Sequence, residues 1–390
     1  MPKVGLAQLP LDTGRCPRWL FERMKRLSRF IIISIIEEFG EEEFLKRLSD
    51  PVWFQSLSAV IGMDWNSSGT TTITLGAIKS GISDIQKELG IFICGGKRNS
   101  RKTPQEIERY GIIYGFSFTP KLIYASKMAA KVDSCLIQNF QDNFQLYHHN
   151  FLFTKKGNWC VIQQAMAPEI QKARRYHWLS SNIINSSVKS GYNFIEEPHS
   201  GIVSDIKIKS LNLIAKESRE NKKVSVNLVK EEPKNFLKNI KLILKKKNNK
   251  NNLIYQRDLA NFTEMKLKDV EFHWHPVVYE KFDLKRLEKT IFSANERKPE
   301  SFEDLLSIKG IGPKTIRALS LVSEIIYGAK PSYEDPARYS FCVGGKDGTP
   351  YFVEKDNFDR LLEIMERAIK RSKLSQKEKV EAQKRLINTF

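Results

Sequence analysis

Close cysteine pairs are missing from this chain. Its five cysteines, Cys16, Cys94, Cys135, Cys160 and Cys342, are scattered, and no CxxC or CxxH pair occurs. That removes the usual zinc spacings. An odd, dispersed set reads as reduced thiols in a cytoplasmic setting rather than a disulfide framework. Long apolar runs are missing as well. The stretch from Phe30 to Ile36 spans seven residues, far short of the roughly 20 that a membrane helix needs. No secretory leader is expected, because Arg15, Arg18 and Arg23 interrupt the start. There is no Walker A loop, no internal repeat, no Ser-His-Asp order and no compact PD…ExK carboxylate cluster. Acidic residues are in deficit, 45 against 64 Lys and Arg, leaving a formal charge of +19 on 390 residues. The partner this implies is a polyanion, with nucleic acid first and an anionic membrane surface second.

What is present is globular. An apolar fraction of 41% and an aromatic fraction of 11% suit two or three domains with their own cores. Apolar spacing predicts helices over 17–38, 41–48, 75–89 with a break at Gly81, 104–110 and 120–132. A short strand is expected over 91–94, then two strands at 144–153 and 159–164 joined by a Lys-Lys-Gly-Asn turn. Residues 168–179 read as a basic helix carrying Lys172, Arg174 and Arg175. Composition changes at 206–257, which hold 13 Lys and 2 Arg against 4 Glu, a net of +11. This segment reads as a solvated linker or a basic arm that follows a phosphate backbone. The last part reads as helical, with a final amphipathic helix placing Phe358, Leu361, Leu362, Met365 and Ile369 on one face. The expected class is α+β: a large mixed N-terminal domain (1–205, as one domain or two subdomains) with a small sheet, a Lys-rich linker (206–257), and an all-α C-terminal domain (258–390).

The densest local signal is LLSIKGIGPKTIRAL, Leu305 to Leu319. Gly310 and Gly312 supply a tight turn, and Pro313 suits the first turn of a following helix. Ser301 with Asp304 forms a capping box. The unit at 301–327 reads as a helix-hairpin-helix whose Gly310, Ile311, Gly312, Lys314 and Thr315 cradle a phosphate at a helix N-terminus. Other basic groups read as phosphate contacts: Lys97, Arg101 and Lys102 on a loop after a glycine pair, Lys127 on a helix, and Arg174 with Arg175. Lys131, four residues from Lys127 and among small residues, is a second candidate amine beside Asp133. His148 and His149 fall on opposite strand faces and cannot share a metal. His273 and His275 share a face but make a weak metal pair. Asp64, Asn66, Ser67, Ser68 and Thr70 to Thr72 enter a helix, as an N-cap or a phosphate site.

Downstream of the hairpin, Gly328, Pro331 and Asp335 resemble the loop of endonuclease-III-like DNA glycosylases. That resemblance implies Lys314 as a Schiff-base nucleophile with Asp335 beside it. The interval from Lys314 to Asp335 is longer by a few residues than in that family, so phosphate contact stays open as the role of Lys314. A second resemblance covers nearly the whole chain except the Lys/Asn-rich segment. VGLAQLP, CPRWLFERM, LSDPVWFQSL, DWNSSGTTT, ELGIFICGGK, SRKTP, YASKMAAKVD, FQLYHH, ARRYHWL, EEPHS, GPKTIRALSLVSEIIYGAKPSYEDPARYSF and GGKDGTPY resemble, in this order, a mainly archaeal family of unknown-function domains, the one numbered 763. It implies a role in archaeal base excision repair, with an abasic-site lyase activity.

Together these readings give an expectation. A cytoplasmic, nucleoid-associated DNA-repair protein would grip duplex DNA through the hairpin and cleave at abasic sites by lysine chemistry, with or without base excision. Lys314 with Asp335 is the first candidate pair and Lys131 with Asp133 the second. No cofactor, metal or membrane partner is expected. A non-catalytic DNA- or RNA-binding protein and a metal-dependent nuclease are the alternatives.

Overall fold

A computed structural model describes residues 16–63, 67–97, 102–139, 144–204, 209–247, 255–257, 264–266 and 281–337. Its centre is a five-stranded antiparallel sheet in the order β1-β3-β4-β5-β6. The strands are β1 Ile91–Lys97, β3 Gln145–Thr154, β4 Trp159–Ala167, β5 Lys172–Leu179 and β6 His199–Ser204. Two short strands, β2 Ile137–Asn139 and β7 Ser210–Asn212, pair beside it, and β8 Tyr255–Arg257 pairs with β9 Glu264–Lys266.

Helices cover both faces, so the inner strands bury nearly every residue and lose the alternation that marks a half-exposed strand. One face packs on α1 Arg18–Phe39, α2 Glu41–Ser49, α3 Pro51–Val60 and α4 Ser68–Gly81. In α1, Met24, Ile32 and Ile35 form the buried stripe. α3 follows the predicted 41–48 helix where none was expected: Asp50 accepts from the Val52 amide at 2.8 Å, and Pro51 occupies the first turn. Gly81, the last residue of α4, stands where a side chain would not fit against α1. An added Cβ would lie 2.6 Å from the Lys25 carbonyl oxygen of α1. After α5 Gln86–Leu89 the chain enters β1.

The other face packs on α6 Thr103–Tyr114 and α7 Thr119–Cys135; behind α7 lie α8 Arg219–Lys230, α9 Pro233–Lys247, α10 Leu284–Glu296, α11 Phe302–Ser307 and α12 Pro313–Ile325, joined to the same core. One apolar cluster runs from Phe92 of β1 through Val132 of α7 and Ile240 of α9 to Leu319 of α12. The hairpin unit therefore shares a core with the sheet.

Two expectations are corrected. Residues 168–179 are not a basic helix: a single 3-10 turn at Pro168–Ile170 leads into β5. Tyr176 and Trp178 share one buried face of that strand with Arg174, while Arg175 and His177 occupy the other. The arginine pair read as helical surface because a strand buried on both sides shows no period of two. Residues 206–257 are not a solvated linker throughout. They supply β7, α8 and α9, and α8 and α9 bury Val224, Leu228, Phe236, Ile240 and Ile243. Lysines between those positions masked a helical stripe. The run from Asn248 to Asn252, His273 with His275, and the predicted helix around Phe358–Ile369 lie outside the described residues. Cys16, Cys94, Cys135 and Cys160 are free thiols. No described helix is long and apolar enough to cross a membrane.

Candidate nucleic-acid interface and its amines

The hairpin forms as its residues require. Ser301 accepts from the Asp304 amide at 3.0 Å and donates its own amide to Asp304 Oδ2 at 3.2 Å, closing the capping box of α11. Phe302, Leu305, Leu306, Ile308 and Ile311 are buried and anchor the unit. The Ile311 amide donates to the Ile308 carbonyl at 3.3 Å across the turn. Gly310 sits at φ 98°, a left-handed conformation that favours glycine. Gly312 is the N-cap of α12 with Pro313 behind it, and no side chain caps that end. Exposed Lys309 and Lys314 flank this uncapped helix end, an arrangement that suits an anion. The Lys314 ammonium lies 6.0 Å from the centre of the Phe282 ring. Ile311 and Thr315 are buried and support the turn from within.

α7 is the rail on which the hairpin rests. Three of its side or C-terminal groups reach successive points of the hairpin unit. The Tyr124 hydroxyl donates to Glu303 at 2.7 Å, Lys131 Nζ donates to the Ile308 carbonyl at 2.8 Å, and Gln138, just past the helix, donates to the Pro313 carbonyl at 3.1 Å. Tyr124 and Lys131, seven residues apart, share one side of the helix. Burial, then the hydrogen bond and charge of Glu303, raises the Tyr124 phenol; burial raises the Glu303 carboxyl, against the opposing bond from Tyr124. Lys127 is exposed one turn before Lys131. Lys131 is half-buried, and loss of hydration lowers its pKa below the ordinary lysine value. A second amine that sequence reasoning missed is Lys222 on α8. It is buried, donates to the Ile195 carbonyl at 3.2 Å, and is pushed down by burial to about 8.

The carboxylates expected beside the candidate amines have other partners. Asp133 is two residues from Lys131 and so faces the opposite side of α7, into the sheet. It accepts from His199 Nε2 at 2.5 Å, from Trp178 Nε1 at 3.1 Å and from Gln163. Gln163 Oε1 in turn accepts from His149 Nδ1 at 2.6 Å, and His149 Nε2 accepts from the Ser126 hydroxyl at 3.0 Å. Asp335 is bound to Arg174 at 2.5 Å, with the two side chains 2% and 1% exposed. Arg174 also lies 4.8 Å from the Phe144 ring.

Arg174 and Arg175 are thus corrected as phosphate contacts: both are fully buried in β5, and a duplex outside the protein cannot touch them. Arg175 donates to Thr71 Oγ1 at 3.1 Å and to His177 Nε2 at 2.9 Å. Burial lowers it to about 9. Lys97 at the end of β1 and Lys102 before α6 are exposed; Arg101 lies outside the described residues. Ser67 caps α4 through a reciprocal box with Thr70, while Asp64 and Asn66 are not described. His149 and His148 point to opposite faces, as alternation requires. His148 is buried and depressed to about 3 by lost hydration first, then by His149 and Lys97. Gln163, Trp178 and His199 were missed as Asp133 partners because nothing in linear spacing joins them to α7.

A mixed α+β scaffold, built on an antiparallel sheet, with a helix-hairpin-helix docked on one of its helices is the class of protein these elements define. The particular family is fixed by the match to its sequence model: the chain belongs to the family described as Protein of unknown function (DUF763), matched over residues 5–353. No curated protein and no solved structure matches the chain.

Proposed function

We propose that this protein binds DNA and cleaves it at abasic sites through a lysine Schiff base, with Lys131 as the amine. The observation that carries this reading is the Lys131–Ile308 hydrogen bond. It holds a partly dehydrated amine against the same turn whose amides suit a backbone phosphate. Lys314 is exposed at that turn and serves as a phosphate contact. Neutral Lys131 would add to the C1′ aldehyde of the opened sugar, and water would leave to give the iminium. The iminium acidifies the C2′ proton. Its loss to a base and departure of the 3′ phosphate break the strand, and water then frees the lysine. We place the hairpin in a mainly helical C-terminal domain, residues 258–390, that also carries β9, and the protein in the cytoplasm, associated with the nucleoid. A charge of +19 supports a polyanion partner, and RNA is the second ligand that this charge accommodates.

The test is incubation with an abasic duplex in EDTA followed by borohydride. Strand cleavage and a covalent adduct support the lyase. Binding without an adduct supports a passive binding protein, and cleavage abolished by EDTA supports a metal-dependent nuclease.

A further inference from the structure

α1 lies on the side of the sheet away from the hairpin. Its inner stripe, Met24, Ile32 and Ile35, packs in the core. Its outer stripe has a different character. Trp19, Arg23, Arg26 and Phe30 follow one another at helical steps, so their side chains leave one face of the helix in a single line. Trp19 and Phe30 are both 61% exposed and belong to neither core cluster. Arg23 and Arg26 are exposed between them, and exposed Leu27 flanks the line.

The cations of this helix fall into two groups. Glu22 holds Lys25 at 3.0 Å, and Asp84 holds Arg29 at 2.5 Å. Arg23 and Arg26 make no ion pair with a described residue. Arg23 instead donates to the Trp19 carbonyl at 3.1 Å, and its guanidinium carbon lies 5.4 Å from the centre of the Trp19 ring. That contact sets a cation beside an aromatic face. Past Phe30 the line reaches exposed Glu37, so the basic stretch is confined to the first turns of the helix.

Two exposed rings with uncommitted cations between them select a ligand. The arginines call for a polyanion and the rings for flat apolar faces. A single nucleic-acid strand supplies both, because every base offers a π-face and every linkage a phosphate. A duplex turns its base faces inward and would meet only the arginines. An interfacial membrane helix buries a broad apolar face, and the broad apolar face of α1 is already in the core. The rings stand ~16 Å apart along the axis at ~1.5 Å per residue. A strand of several nucleotides crosses that span with a base on each ring and its intervening phosphates over the guanidiniums.

We propose that the outer face of α1 is a binding surface for single-stranded nucleic acid, with Trp19 and Phe30 as stacking platforms and Arg23 and Arg26 as the phosphate contacts between them. It stands independently of the lyase reading, because no residue of the hairpin or of α7 belongs to it.

Fluorescence anisotropy of the full-length protein with a labelled oligo(dT) of about 12 nucleotides, within the range of single-strand sites, tests it. Trp19→Ala and Phe30→Ala should each weaken binding by about fivefold or more. Arg23→Gln with Arg26→Gln should lower the slope of log K against log salt by about 1.4, at ~0.7 per charge on a single strand. All four side chains are exposed, so thermal unfolding should be unchanged. Lys309→Ala with Lys314→Ala should leave oligo(dT) affinity intact, and Trp19→Ala should leave the abasic-duplex adduct intact, so that each reading can fail alone. Oligo(dT) affinity that survives both ring substitutions overturns the proposal, as does its loss in the hairpin variant. Inorganic polyphosphate that competes as well as oligo(dT), or tighter binding to phosphatidylserine vesicles than to oligo(dT), overturns it too.

Discussion

Lys131 Nζ lies 2.8 Å from the carbonyl oxygen of Ile308. This bond joins a helix of the sheet scaffold to the turn of the hairpin across 177 residues of sequence. It holds an amine with a lowered pKa against the turn that the proposed function assigns to the DNA backbone.

Replacement of Lys131 should therefore separate chemistry from grip. Lys131→Gln should reduce borohydride-trapped adduct by more than about 100-fold, since the nucleophile itself is removed. Duplex affinity should change by less than about tenfold, because one phosphate-proximal charge is lost of several. Thermal unfolding should show a loss of about 1 kcal/mol from the missing hydrogen bond. Equal loss of adduct and of binding would count against the assignment.

The hairpin turn makes a second prediction. Gly310→Ala meets no crowding, its nearest neighbour being Thr290 Cγ2 at 3.9 Å, but φ is 98°. Forcing a Cβ into that region should cost about 1–2 kcal/mol and weaken DNA binding while the adduct still maps to the same lysine. Changing Lys309 and Lys314 to Ala together should lower the slope of log K against log salt by about 2. Filter binding across a salt series reads it; an unchanged slope would remove the hairpin from the interface.

Asp335→Ala should be severe for structure rather than for chemistry. It strands Arg174 inside the protein, and breaking a buried pair from one side costs about 3–5 kcal/mol. Denaturant unfolding measures this. A loss below about 1 kcal/mol would show that the pair is solvated in solution.

Acid should destabilise the fold through its buried histidines. Burial holds His148 down at about 3, well below the ordinary histidine value of about 6.5, and His149 and His177 are also lowered, both first by burial. The unfolded chain binds these protons as pH falls below 6.5 and the folded chain does not. Stability is thus fully present above 6.5 and declines as pH falls toward 3. Between pH 6.5 and 5 His148 alone should account for about 2 kcal/mol, at ~1.4 kcal/mol per pH unit. Urea midpoints at these pH values check it, and His148→Phe should flatten the profile.

The hairpin was legible in sequence because its signals are local: two glycines, a proline and a capping pair within a dozen residues. The helices α1, α2 and α7, the strands β1, β3 and β4, and the break at Gly81 were legible for the same reason. β5 was not, because tertiary burial on both faces erased its alternation. α8 and α9 were hidden by lysines that occupy the outer face of amphipathic helices. The partners of the candidate residues were the least legible. Asp133 and Lys131 are neighbours in sequence, yet the turn of a helix sends one to His199 and the other to Ile308. Asp335 finds Arg174 across 161 residues, a pairing no spacing rule contains.

The most direct test of the account is peptide mapping of the borohydride-trapped complex with an abasic duplex in EDTA. The account predicts a single modified residue, Lys131, and loss of the adduct in Lys131→Gln. An adduct on Lys314 or Lys222, or no adduct from a protein that still binds the duplex, would contradict it.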